Sequence, residues 1–186
     1  MCANEARLTT MIFRETKIGG AYLIQPEKLE DPRGHFARTF CEHEFAERGL
    51  ETRIAQCSVS FSRKRGTLRG MHYQAAPFEE AKLVRCTRGA IFDVIIDLRR
   101  DSASYKSHLA VELNERDGVM LYVPAGVAHG FQTLAEDTEV FYQMSQMYSA
   151  AHARGVRWND PAFHIAWPAE DRTILERDQS YPDFMD

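Results

Sequence analysis

The chain has 186 residues, 44% of them hydrophobic, enough for one domain that buries its own core without disulfide or metal staples. Against 23 Lys and Arg stand 27 Asp and Glu, and the net charge of −4 excludes a binder of nucleic acid or anionic membrane that works by neutralising phosphates. A phosphate-bearing small molecule is not excluded, because a few local Arg and Lys hold a diphosphate inside an acidic protein.

No apolar run approaches the roughly 20 residues of a membrane helix. Met1 to Lys17 carries Glu5 and Glu15 without an apolar block, unlike a signal peptide, and residues 1–12 are expected to form a loosely ordered extension of a single domain over 1–186. Cys2, Cys41, Cys57 and Cys86 share no paired spacing and read as free thiols of a cytoplasmic protein.

In chain order, the composition predicts strands at Gly19–Gln25, Ala81–Cys86, Ala90–Leu98, His108–Leu113, Val119–Pro124 and Glu139–Met144, each short and rich in Val, Ile, Tyr or Phe. Within the third, Ile91-Phe92-Asp93-Val94-Ile95-Ile96-Asp97 is nearly continuous and apolar, the pattern of a central strand covered on both faces. Short helices are predicted at Glu42–Arg48, closed by Gly49, and at Asp171–Arg177. Strands returning at short intervals between turn signals suggest an all-β domain, a jelly-roll sandwich with small helical decorations.

Four segments hold polar residues that a sandwich core does not need. In Gly66 to Gln74 two glycines suggest turns or close backbone approaches around Arg69 and His72. A lone histidine is more often a satisfied core or surface residue, and Arg69, Tyr73 and Gln74 beside His72 shift that balance. In Ala81–Cys86 alternation puts Lys82 on one face with Val84 and Cys86, where it either snorkels or faces a bound ketone as an oxyanion stabiliser. Pro124-Ala125-Gly126 delivers His129 among small residues, as though something approaches it closely. Tyr142 reads as a core tyrosine, or as an acid if it lines a cavity opposite His72; Asp178 by itself reads as a surface carboxylate. Seven histidines are present but no His-x-His pair, so a metal site would need dispersed ligands.

Taken together, Asp31 to Gly34, Leu68 to Gln74, Lys82 to Cys86, Asp93 to Arg99, Val123 to Phe131 and Trp158 to Pro161 resemble the dTDP-4-dehydrorhamnose 3,5-epimerase family, over about Phe13 to Phe184. The resemblance implies a cupin-type jelly roll, a homodimer, no metal and no cofactor. It implies an epimerase that inverts carbon 3, carbon 5 or both of a nucleoside-diphosphate 4-keto-6-deoxyhexose through an enolate, in deoxysugar synthesis. The catalytic roles it carries over are the base on His72, the orienting carboxylate on Asp178, the acid on Tyr142, and Lys82 near the keto oxygen. Arg33, Arg69 and His129 match substrate-binding positions, Gln74 is expected to bind substrate as well, as is Gln56 although it replaces the family's usual Asn, and Arg177 stands where the family often has Lys. Arg38, Ile54 and Ala153 depart from the family's ligand-side pattern. A sugar 3,4-ketoisomerase, a metal-dependent cupin and a non-catalytic sugar-binding cupin are the alternatives.

Overall fold

A computed structural model describes residues 10–185. Its first half comprises β1 (Met11–Glu15), β2 (Tyr22–Pro26), β3 (Lys28–Asp31), β4 (Gly34–Ala37), α1 (Glu42–Ala46), β5 (Gln56–Ser62), β6 (Thr67–Gln74), β7 (Lys82–Arg88) and β8 (Ala90–Asp97). The second half comprises β9 (His108–Asn114), β10 (Met120–Val123), β11 (Val127–Thr133), β12 (Thr138–Met144), β13 (Ala153–Gly155), β14 (Thr173–Ile174) and α2 (Glu176–Gln179).

The strands build two facing sheets, a front sheet in the order β1-β2-β10-β7-β12-β5 and a back sheet in the order β13-β6-β11-β8-β9, with β14 added in parallel to β6. This is the expected jelly-roll sandwich. Neighbours along the chain are seldom neighbours in a sheet, so the chain crosses repeatedly between the layers. The strands β3 and β4 form a separate hairpin that stands away from both sheets, nearly every residue exposed.

Both sheets are apolar on both faces. Between them Val84, Cys86, Leu121 and Val140 meet Ile91, Ile95, Leu113 and Phe131. Behind the front sheet, Phe45 of α1 covers Ile24, Leu83 and Tyr122. Behind the back sheet, Val156, Phe163 and Trp167 cover Leu68, Val94 and Ile96. This explains the near-continuous apolar run of β8: Ile91 and Ile95 face the sandwich interior, while Val94 and Ile96 face the segment laid over the outside. Each such fully buried side chain contributes about 1.5–3 kcal/mol.

Several expectations are corrected. Met11 and Ile12 begin β1, so only residues 1–9 of the expected extension lie outside the described residues. The first predicted strand starts later, at Tyr22, because Gly19 and Gly20 make the turn before it, Gly20 at φ 78°. The first helix ends at Ala46, ahead of Gly49 at φ 67°. No helix spans Asp171–Arg177: Thr173 and Ile174 pair with Thr67 and Leu68, Leu175 stays extended, and α2 begins only at Glu176. The β-branched pair finds an open strand edge there, and tertiary pairing overrides local preference. Among the described residues, no helix is long and apolar enough to cross a membrane.

Candidate active site

A cavity of about 530 Å³ opens between the sheets at the end where β5, β12 and β7 face β6 and β11. Strand alternation accounts for its front wall. Lys82 of β7 is buried on the same face as Val84 and Cys86, and Met144 lies opposite it across the β7–β12 ladder. Tyr142 pairs with Ser58, and the polar residues Gln56, Ser58 and Ser60 alternate along β5 towards the same space.

The back wall breaks alternation. Arg69 and His72 are three apart, which would put them on opposite faces of a regular strand, yet both line the cavity. Between His129 and Phe131 the β6–β11 register shifts, so that three steps of β6 match two of β11. This bulge turns both side chains inward. It needs glycines: Gly70 has φ 116°, and a Cβ there would sit 2.5 Å from the Gly130 Cα. The predicted close approach at Gly70 is therefore present, inside a strand rather than in a turn.

His72 lies directly opposite His129 in the ladder, and each imidazole has its own carboxylate. His72 Nε2 is 2.8 Å from Oδ1 of Asp178, which comes from α2, and Gly70 N–H donates to the other oxygen at 3.1 Å. With the ring hydrogen on Nε2 for that bond, Nδ1 keeps the lone pair. Arg177 donates through Nε to Asp178 at 3.2 Å; its Nη2, 3.2 Å from His72 Nε2, is a neighbouring charge rather than a second hydrogen bond to a nitrogen already carrying hydrogen. Burial raises the Asp178 pKa, but the His72 contacts, the Gly70 amide and Arg177 outweigh it and hold the carboxyl below its usual range. His129 Nε2 is 2.7 Å from Asp93 Oδ1, and both side chains are almost wholly buried.

Tyr142 stands on the front wall, its ring edge-on to His129 at 6.0 Å. Burial first, then the Asp93 charge, push its phenol far above the usual value, so it keeps its proton at any ordinary pH. Lys82 Nζ is 3.1 Å from Glu80 Oε1 and 3.4 Å from the His72 carbonyl. Arg69 is held by the Ser62 hydroxyl at 3.2 Å and the Phe61 carbonyl at 3.0 Å.

Of the residues singled out in the sequence, His72, Tyr142, Lys82, Arg69, His129 and Gln56 thus line one cavity, with Asp178 and Arg177 behind His72. Two lie elsewhere. Gln74 is buried in a hydrogen-bonded knot beside the cavity. Arg33 sits near the tip of the β3–β4 hairpin, paired with Asp31. Sequence reasoning passed over Asp93, Glu80 and Tyr148. For Asp93 a signal existed, a carboxylate in the middle of an apolar strand; for the wall of β5 it was the polar alternation from Gln56 to Ser62. Among the described residues, no three His, Cys, Asp or Glu side chains converge as a metal cage.

The model of the family described as dTDP-4-dehydrorhamnose 3,5-epimerase matches residues 15–186. The chain belongs to this family. It is an isomerase, a carbohydrate epimerase. A dTDP-4-dehydrorhamnose 3,5-epimerase of Sinorhizobium fredii is 44% identical over 176 residues, 94% of this chain and 90% of that protein. The crystal structure of the Bacillus anthracis epimerase with TDP and PPi bound superposes with a TM-score of 0.91 at 36% identity, covering 94% of this chain and 100% of the other. A 3'-monoepimerase of Streptomyces bikiniensis in complex with dTDP-quinovose gives a TM-score of 0.83 at 32% identity, covering 90% and 85%. The cupin-type sandwich of these epimerases is the fold described above.

Proposed function

We propose that this epimerase inverts carbon 3, carbon 5 or both of a dTDP-linked 4-keto-6-deoxyhexose in deoxysugar synthesis, with His72 as base and Tyr142 as acid. The observation that carries the reading is their opposition: the two side chains come from different sheets and face one cavity. The ligands of the related structures, TDP with PPi and dTDP-quinovose, support the substrate class.

His72 Nδ1 takes the proton from the carbon beside the ketone, and the electron pair of the broken C–H bond moves onto the keto oxygen. An unperturbed imidazole titrates near pH ~6.5, which suits this task near neutrality. Lys82 supplies positive potential where the oxyanion develops, and His129 lines the cavity beside it. Tyr142 then gives its phenolic proton to the opposite face of the carbon, inverting it, and is reprotonated from solvent. Arg69 and Gln56, which line the cavity, hold the substrate, while Arg177 braces Asp178 behind His72 rather than binding substrate as expected. No step needs a redox cofactor or a metal ion.

A homodimer completes the reading. The β3–β4 hairpin exposes Phe36 and Leu29, and the edge strand β5 exposes Val59 and Phe61, apolar surface that a second copy covers. Arg33, on that hairpin, then contacts the substrate held by the partner. The free Cys41, Cys57 and Cys86 fit a cytoplasmic enzyme.

The test is Tyr142→Phe incubated with dTDP-4-keto-6-deoxyglucose in heavy water and followed by NMR. The variant keeps its packing volume and still forms enolate, so deuterium incorporation outruns inversion. Inversion at the wild-type rate and ratio rules out the acid role.

A further inference from the structure

Lys82 is a cation on a flexible stem, buried in a cavity wall between Val84 on its own strand and Met144 on the next. An ammonium has three N–H groups. One points at Glu80 Oε1, 3.1 Å away, and a second at the His72 carbonyl, 3.4 Å away. The third is left for the cavity. Glu80 is itself nine-tenths buried, with 9% of its side chain exposed, equal to that of Lys82. It is no solvated surface carboxylate.

Glu80 is held from both ends. Its backbone neighbour Ala81 is clamped to Ser145, N–H to Oγ at 2.8 Å and carbonyl to N–H at 3.0 Å. Its second oxygen accepts from Gln74 Nε2 at 3.3 Å. The same Gln74 amide nitrogen donates to the carbonyls of Phe78 at 2.9 Å and Met147 at 3.2 Å, while its oxygen accepts from Ser149 N–H at 2.6 Å. Two amide hydrogens shared among three acceptors, in a side chain buried outside the cavity lining, leave Gln74 no donor for a sugar. The Met147–Ser149 segment that it fastens carries Tyr148, another lining residue of the cavity.

We infer that Glu80 is the positioning residue for Lys82, and that Gln74 acts behind Glu80 rather than on the substrate. Without the carboxylate, Lys82 would keep its charge as an unpaired buried cation, or swing to find water, and its N–H would no longer point where the oxyanion forms. The inference rests on Lys82 serving the keto oxygen. Glu80 acts only through Lys82, and that dependence is the measurable consequence.

The experiment is a double-mutant cycle of Glu80→Gln, Lys82→Met and the pair, with deuterium exchange into dTDP-4-keto-6-deoxyglucose giving kcat and KM, and thermal unfolding recorded in parallel. Glu80→Gln is expected to lower kcat on the order of ten-fold with KM little changed, less than the ~10²-fold that a misplacement of 1 Å brings. In the Lys82→Met background the same change is expected to do nothing further. Glu80→Asp, which keeps the charge but withdraws it by one methylene, serves as the second variant and falls between wild type and Glu80→Gln. The double variant removes both charges and so leaves no unpaired ion behind. An equal loss from Glu80→Gln in both backgrounds assigns Glu80 a merely structural part and overturns the inference alone. Wild-type exchange by Lys82→Met overturns the oxyanion reading and this inference with it.

Discussion

The molecule holds two histidine–carboxylate pairs within one strand ladder, and they are built differently. His129 and Asp93 come from adjacent central strands, and only 5% and 0% of their side chains are exposed. Asp93 Oδ2 has no hydrogen-bond partner among the described residues. His72 is 32% exposed, and its Asp178 comes from a short helix more than a hundred residues along the chain, sharing its carboxylate with Gly70 and Arg177. A proton-transfer group needs access to substrate and a partner that stabilises both of its charge states. A group that only presents a fixed donor is better sealed. The contrast separates movement of a proton from placement of a dipole.

The sharpest way to break this comparison is at the rings. His72→Asn should abolish deuterium exchange and turnover together, a loss in the upper part of the ~10²–10⁴-fold range for a general base, while the fold remains. Near-normal exchange by a folded His72→Asn protein would sink the assignment.

The carboxylates come next. Asp93→Asn replaces the charged partner of a hydrogen bond buried on both sides, and losing a bond to a charged group costs about 1.5–3 kcal/mol. Asp178→Asn leaves a half-exposed imidazole that water can reach. The expected result is a clearly lower unfolding temperature for Asp93→Asn, against a smaller decrease for Asp178→Asn with reduced kcat. Calorimetry beside initial rates distinguishes them, and equal unfolding temperatures would dissolve the contrast.

The smallest effect is one of pH. Because the Asp178 pKa is lowered on folding, its contribution to stability is complete above the ordinary carboxylate value of ~3.9 and is lost as pH falls through the lower folded value. The gap in unfolding temperature between wild type and Asp178→Asn should therefore hold from neutrality to about pH 5 and close below the ordinary value. A gap that widens on acidification would reverse the sign of the coupling.

How far the sequence revealed this site depended on local regularity. Lys82 was legible as a candidate because it shares a strand face with Val84 and Cys86, which left it either snorkelling or turned inward, and the structure turns it inward. The apolar run of β8 correctly announced a strand covered on both faces. Arg69 and His72 on one wall were not derivable, since the bulge that unites them depends on the Gly70–Gly130 contact between strands. Asp178 carries no periodic signal at all; only the family resemblance singled it out. The strands β5, β6 and β11 were missed as strands because their polar or glycine-interrupted stretches look like loops until the partner strand is in place, and β1 because its first residues were given to a loose extension.

The outer strap that carries Asp178 has one consequence of its own. It is fastened to the back sheet by the two residue pairs of β14, by the Gly70 and His72 contacts of Asp178, by a two-way bond between the Gln132 side chain and the Ala169 backbone, and by the packing of Val156, Phe163 and Trp167. A central strand such as β11 is instead paired along its whole length with β8 and, around the bulge, with β6. A segment hydrogen-bonded to the sheet at so few points opens more readily than a strand paired along both edges. The protein can therefore breathe out of its active form while both sheets stay intact: under mild denaturant, amide protection at Ile174 and turnover fade together, well before the amides of Ile95 and Phe131 begin to exchange.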